Sequence, residues 1–282
     1  MGFGSWSKIF GNLDQLLNEY LNQVVQPDLS ADSLLKATEL SKSFGGIKAV
    51  DNARIEVNRG SITGLIGPNG AGKTTLFNLL SNFIPPDQGK ILFDRQPIHN
   101  LPPHKIATQG FIRTFQVARV LSRLSVLENM LLATPHQTGE NFFKVWFQQS
   151  KLRAEERKNK ERAMDILESV GLAAKAQDYA GALSGGQRKL LEIARTLMTN
   201  PKLILLDEPA AGVNPTLINQ ICEHIVNWNQ QGISFLVIEH NMDVIMSLCD
   251  RVWVMAEGTN LAEGTPEEIQ NNKSVLEAYL GQ

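Results

Sequence analysis

The sequence has 282 residues, with 27 Lys+Arg against 29 Asp+Glu and a formal charge of −2. At 43% hydrophobic and 20% charged residues it composes like a soluble globular chain, not a disordered or collagen-like one. Near-neutrality argues against a nucleic-acid binder that works by bulk positive charge, and apolar runs such as Leu203 to Leu206 fall far short of the ~18 residues of a membrane span.

Trp6 to Val24 carries apolar residues at three- and four-residue steps, which predicts an amphipathic helix ended by Pro27. Asp28 to Ser33 reads as a linker, and the opening residues carry no secretory pattern. From Leu34 short strands are expected: Lys36 to Leu40, Arg54 to Val57, and Ser61 to Ile66, with a turn at Gly45-Gly46. A helix is expected over Lys73 to Asn82 and a strand over Lys90 to Asp94. The middle reads as helical, over Val126 to Ala133, Lys151 to Val170 and Ser184 to Met198. The mixed charges of Lys151 to Val170 predict a solvated face rather than a basic binding patch. Leu203 to Leu206 and Ile233 to Ile238 are continuous apolar runs, as strands buried on both faces of a parallel sheet require, and a helix from Pro215 to Asn229 separates them. The whole predicts an α/β core with a helical block inserted in its middle. Cys222 and Cys249 are too few for a disulfide framework and read as buried small hydrophobes.

Gly67-Pro68-Asn69-Gly70-Ala71-Gly72-Lys73-Thr74 matches the pattern G-x-x-x-x-G-K-[ST] between a strand and a helix. Glycines there allow backbone N–H groups to converge on a phosphate, and the helix start adds its positive dipole end. Lys73 is expected to reach the β- and γ-phosphates of a nucleoside triphosphate, Thr74 to place its hydroxyl on Mg²⁺, and Thr75 to add a phosphate contact. The strand Leu203 to Leu206 runs into Asp207 and Glu208, at the sheet edge where α/β proteins place ligands. Asp207 is a candidate for Mg²⁺, directly or through an intervening group, and Glu208 for polarising the attacking water. Ser184-Gly185-Gly186-Gln187 opens a further helix, with Ser184 a good N-cap and the glycines exposing N–H groups. A second phosphate cradle so far from the first is best used by a nucleotide on another chain, which implies two chains head-to-tail.

With Leu183–Gln187, the P-loop and the Asp207-Glu208 strand together, the sequence resembles the nucleotide-binding subunits of ATP-binding cassette (ABC) transporters over residues 34–282. The resemblance implies a P-loop NTPase fold: a mostly parallel sheet, an antiparallel β subdomain and an inserted α-helical subdomain over about 117–198, behind an N-terminal segment over 1–33. It implies that Phe44 stacks on adenine, that Gln116 contacts Mg²⁺ and joins core to helical subdomain, and that His240 contacts the γ-phosphate. Ala210 to Asn214 stands where the family's dimer-contact loop lies but departs from its usual Ser-x-Leu-Asp. Within the family, Arg113 to Gln116, Glu208 to Pro215, Ile238 to Met242 and Glu277 to Gly281 look like ATPases of bacterial branched-chain or neutral amino acid uptake. Urea-uptake and lipopolysaccharide-export ATPases share part of this, and Glu239 before His240 suits the amino acid type. A soluble ABC ATPase of DNA repair or translation would show paired cassettes, coiled-coil insertions or zinc cysteines. The resemblance thus implies ATP and Mg²⁺ as ligands and membrane permease subunits and a second ATPase subunit as partners. It further implies an extracytoplasmic solute-binding protein acting indirectly, no nucleic acid, and a peripheral place on the cytoplasmic face of the bacterial inner membrane.

Overall fold

In the computed structural model, residues 33–114, 120–135 and 149–280 are described. The expected helix Trp6 to Val24 and Gln116 lie outside them. Strand β1 (Ser33–Phe44) and strand β2 (Ile47–Asn58) are sheet neighbours joined by Gly45 and Gly46, at φ 53° and 88°. Both glycines are left-handed, as a two-residue hairpin turn requires. The strands outrun the expected Lys36 to Leu40 and Arg54 to Val57: they add buried Leu34, Leu35, Val50 and Ala53 and, toward the hairpin turn, mostly polar residues such as Ser41, Lys42, Ser43 and Lys48. With β4 (Gln88–Phe93) and β5 (Gln96–Pro97) they form a four-stranded sheet in the order β2-β1-β4-β5. The β1–β4 and β4–β5 pairs are antiparallel.

A second, six-stranded sheet runs β10-β9-β3-β8-β7-β6. It comprises β3 (Ile62–Ile66), β6 (Phe111–Arg113), β7 (Leu203–Asp207), β8 (Ser234–Ile238), β9 (Arg251–Ala256) and β10 (Thr259–Gly264). Its pairs are parallel from β9 to β6, and only β10 turns back antiparallel. The connections are helical, as parallel neighbours demand. They include α1 (Lys73–Leu80), α2 (Pro103–Thr108), α3 (Val126–Leu131), α4 (Gln149–Ser169), α5 (Gly185–Leu197), α6 (Pro215–Gln230) and α7 (Met242–Leu248). Two further helices, α8 (Pro266–Gln270) and α9 (Lys273–Leu280), follow the last strand.

Every residue of β3, β7 and β8 is buried. Their side chains alternate between two cores, as period-two strands must. Leu203, Leu205, Leu236 and Ile238 join the core shared with β1, β2, β4 and α1. Ile204, Leu206, Phe235 and Val237 join the core shared with α3, α4, α5 and α6. The charged face of α4 is exposed at Arg153, Glu156, Arg157, Lys158, Lys160 and Glu161, as the mixed signs predicted. Arg162 turns inward and donates to the Leu197 carbonyl at 2.5 Å, closing the end of α5. Cys249 is buried, and burial pushes its thiol pKa up to about 12, while Cys222 is half-buried. No helix among the described residues is long and apolar enough to cross a membrane.

Candidate functional site

The fold brings the carboxyl ends of the neighbouring strands β3, β8 and β7 side by side, and each delivers one part of the site. From β3 the chain enters the Gly67–Thr74 loop. Gly67 has φ 150°, and a Cβ there would stand 2.1 Å from the Met255 carbonyl oxygen. Gly72 has φ 95°, and its Cβ would stand 2.4 Å from the Ala49 carbonyl oxygen. Both neighbours are backbone, so only glycine fits. Gly70, at φ 77°, faces open space. Gly72 caps α1 with no side-chain hydrogen bond, and the first turn holds no acid. The helix start therefore keeps its donors and its positive end for an anion.

Lys73 is buried and spans the loop, its Nζ donating to the Gly67 oxygen at 2.6 Å and the Pro68 oxygen at 2.9 Å. Burial lowers its pKa, and the nearby Glu208 carboxylate works against that. Ala49, Asn69 to Thr75, Glu208 and His240 line one cleft of about 250 Å³. Thr74 is exposed and Thr75 half-buried. Two larger cavities, about 550 and 470 Å³, lie away from these residues and lack this convergence, so chemistry rather than size marks the site. Phe44 sits at the end of β1, 46% exposed, outside the cleft lining. The Lys42 ammonium lies 5.7 Å from its ring.

From β7 come Asp207, buried, and Glu208, half-buried. Glu208 holds φ 49°, costly for a residue with a side chain. Its N–H donates to the Ile238 oxygen at 3.0 Å, which ties the end of β7 to that of β8. From β8 comes His240, whose Nε2 lies 2.6 Å from Glu208 Oε1. A carboxylate only accepts, so Nε2 carries the hydrogen and donates.

Sequence reasoning had not assigned Arg113, Lys189 or Glu239 to the site. Arg113, at the end of β6, donates from Nη2 to Asp207 Oδ2 at 3.1 Å and from Nη1 to Asn78 Oδ1 at 2.7 Å. Its guanidinium lies 5.6 Å from the ring centres of Phe77 and Phe83. A cation following Phe111-Ile112 in a strand was the available signal, since a buried charge needs a partner. Lys189 of α5 is buried 4.0 Å from Glu192 Oε2. Burial lowers its pKa, while Glu192, Asp207, Glu239 and Glu208 oppose that. Glu239, 3% exposed, accepts from the Ala210 N–H at 2.7 Å and from the His240 N–H at 3.1 Å.

The second glycine-bearing helix start stands apart. Ser184 Oγ accepts from the Gln187 N–H at 3.2 Å, and Gln187 Oε1 accepts from the Ser184 N–H at 3.1 Å, a capping box. The Gln187 side chain is thus spent on the cap. Ser184 and Gly185 are exposed, and none of Ser184 to Gln187 lines the cleft. A Cβ on Gly186 would stand 1.7 Å from Leu217 Cδ2, so packing on α6 explains that glycine. In the loop before α6, Asn214 Oδ1 accepts from the Leu217 N–H at 2.9 Å and caps the helix.

A glycine-built loop running into a helix start with no side-chain cap, a lysine, and an acid–histidine pair on one cleft suit a polyphosphate and an attacking water. Comparison with known proteins agrees. A family model described as "ABC transporter" matches residues 50–211, and one described as "Branched-chain amino acid ATP-binding cassette transporter" matches residues 259–282. The probable branched-chain amino acid transport ATP-binding protein LivG of Archaeoglobus fulgidus is 44% identical, over 88% of this chain and 95% of that one. The high-affinity branched-chain amino acid transport ATP-binding protein LivG of Escherichia coli is 41% identical, over 88% and 98%. A crystal structure of a nucleotide-free ATP-binding cassette from an ABC transporter superposes with a TM-score of 0.76 at 40% identity, over 89% and 100%. That of the ADP conformation of an ATP-binding cassette likewise gives 0.76, at 38% identity over 89% and 99%. The chain belongs to the ABC transporter family, among its branched-chain amino acid transport ATP-binding subunits.

Proposed function

We propose that this chain binds ATP in the Gly67–Thr75 cleft and hydrolyses it to drive uptake of branched-chain or neutral amino acids. The observation that carries the reading is the pairing of Glu208 and His240 on the same 250 Å³ cleft as the P-loop lysine. Convergent N–H groups from the loop and the start of α1 hold the phosphates. Lys73 exchanges its two loop carbonyls for phosphate oxygens. Glu208 accepts a hydrogen bond and then a proton from water, whose oxygen forms a bond to the γ-phosphorus. The bond from that phosphorus to the bridging oxygen of ADP breaks, and ADP and phosphate leave. His240 donates to Glu208 from Nε2 and stands ready to turn toward the phosphate.

Mg²⁺ is assigned to Thr74 on the cleft and to Asp207, which precedes Glu208, lies outside the cleft lining and is bonded to Arg113. Thr74 and Asp207 offer hard oxygens, and no group of three or more His, Cys, Asp or Glu among the described residues could hold a metal alone. Mg²⁺ suits such a site, since it takes one or two protein ligands beside phosphates and water. Thr74 and Asp207 would hold it, and its charge would neutralise the phosphates. Gln116 is assigned to the same ion by resemblance, and Phe44 to adenine.

Exposed Ser184 and Gly185, off this chain's own cleft, support a head-to-tail pair with a second ATPase subunit, the same chain or a related one. In that reading residues 34–282 form the ATPase domain, with the helical subdomain at about 117–198 passing motion to permease subunits at the cytoplasmic face of the membrane. An extracytoplasmic binding protein would supply the solute. The test is Glu208→Gln. Turnover should fall by about 10²–10⁴ while ATP binding persists, and normal turnover would defeat the reading. Labelled leucine accumulation by membranes carrying the permeases, present with wild type and absent with Glu208→Gln, tests the solute class.

A further inference from the structure

The site joins two loops that belong to different strands. Glu208 begins the loop after β7, and His240 stands in the loop after β8. Their side chains meet at 2.6 Å although Glu208 holds an unfavourable φ of 49°. Such a conformation lasts only where surrounding bonds over-determine it. One bond is the Glu208 N–H to the Ile238 oxygen at 3.0 Å, and another is the Ala211 N–H to the Glu208 oxygen at 3.1 Å. The remaining tie comes from Glu239. Its carboxylate is almost wholly buried, yet both oxygens are used on backbone. One accepts from the Ala210 N–H at 2.7 Å, two residues past Glu208, and the other from the His240 N–H at 3.1 Å. The Glu208–His240 side-chain contact spans the same two loops, and Glu239 adds a buried backbone tie beneath it. The buried ammonium of Lys189, close enough to act on Glu239, Glu208 and Asp207, makes a buried carboxylate tolerable there.

We propose that Glu239 is a positioning residue for hydrolysis. It clips the loop after Glu208 to the loop of His240, so that the acid and the histidine face the cleft as one unit. It does not touch the nucleotide. Because the clip acts on Ala210, it also passes any movement of the Ala210–Asn214 loop to His240. The proposal rests on the ATPase reading above.

The test uses the full-length chain and compares Glu239→Ala and Glu239→Gln with wild type in kcat, KM and the affinity for a fluorescent ATP analogue. Displacing a reacting pair by about 1 Å costs up to roughly a hundredfold. Glu239→Ala should lower kcat by about ten- to a hundredfold and leave KM and analogue affinity within about threefold. Glu239→Gln, which keeps one acceptor, should fall between Ala and wild type. In a His240→Ala background, adding Glu239→Ala should cost less than about twofold more, since no pair is left to hold. A protein whose folding alone was harmed would lose affinity together with kcat and show multiplying losses, and either result overturns the proposal. Unchanged kcat in both variants, with an active wild type that Glu208→Gln silences, overturns the clip and leaves the ATPase reading standing. An inactive wild type overturns both. Should Glu239→Ala fail to fold by its thermal melt, Glu239→Gln and its double variant with His240→Ala carry the same comparison.

Discussion

Two helix starts in this chain are rich in glycine, and they are built to opposite plans. At Gly67–Thr74, Gly67 and Gly72 are forced, because backbone carbonyls of Met255 and Ala49 occupy the space of a side chain, and the helix start has no side-chain cap. At Ser184–Gln187 the helix caps itself, Gly185 faces open space, and Gly186 is required only by a leucine tip. The first leaves its helix start without a side-chain cap, as the proposed phosphate site requires. The second is content without a ligand and turns outward. A glycine-rich helix start is therefore not one kind of object. What separates these two is whether a side chain caps the helix start.

The comparison can be broken most sharply at the glycines. Gly67→Ala forces a Cβ against a fixed carbonyl and should cost about 3 kcal/mol or more. ATP-analogue binding should vanish, and a folded Gly67→Ala that binds normally would refute the forced geometry. Gly186→Ala meets only the movable end of Leu217, so analogue binding to a single chain should be retained, with destabilisation of about 1–3 kcal/mol in a thermal melt. Next comes the charge of Lys73. Burial lowers its pKa from the ordinary lysine value, so the ammonium is lost earlier than usual as pH rises. Bound phosphate favours the charged form, so affinity should fall with increasing pH, starting below the ordinary lysine range. Full deprotonation should cost about 1.5–3 kcal/mol of binding, one charged hydrogen bond. Isothermal titration across alkaline pH checks this, and Lys73→Arg, which stays charged, should show no such fall.

Smaller still is the cap. Ser184→Ala should destabilise α5 by about 1 kcal/mol and leave analogue binding by one chain unchanged. A drop in single-chain binding would place this helix start in the chain's own cleft. The smallest effect is on Cys249. With its pKa pushed up to about 12 by burial, the folded protein should resist iodoacetamide at pH 8, and mass spectrometry would show labelling there only after denaturation. The sign for stability follows. Above the unfolded thiol's pKa the unfolded chain releases a proton that the native chain keeps, so this contribution falls as pH rises toward 12.

Much of this was legible from residues in order. The P-loop, the strand ending in Asp207-Glu208 and the alternation of strands and helices are local patterns, because the chemistry needs adjacent residues and buried strands need unbroken apolar runs. The runs Leu203 to Leu206 and Ile233 to Ile238 appear as strands within a residue or two at their ends. Less was legible where signals are weak. β10, α2 and α7 to α9 carry short or mixed patterns whose burial comes from distant neighbours, whereas the apolar run Val252 to Met255 of β9 was legible and is missing from the expected strands. Expecting β1 to end at Leu40 failed because its far half is polar, and polar alternation does not distinguish strand from loop.

The sequence by itself determined which residue types were present and in what local order: glycines before a lysine, two acids after an apolar strand, a serine before a glycine pair. Only the tertiary structure decided which of them meet. The 2.6 Å contact of Glu208 with His240, the hold of Arg113 on Asp207 and the two-loop clip of Glu239 join residues separated by 32, 94 and 29 positions. Sequence spacing carries no distance at that range. Strand order does, because the parallel register of β7 beside β8 and β6 brings their carboxyl ends together, where buried charges find partners across the sheet.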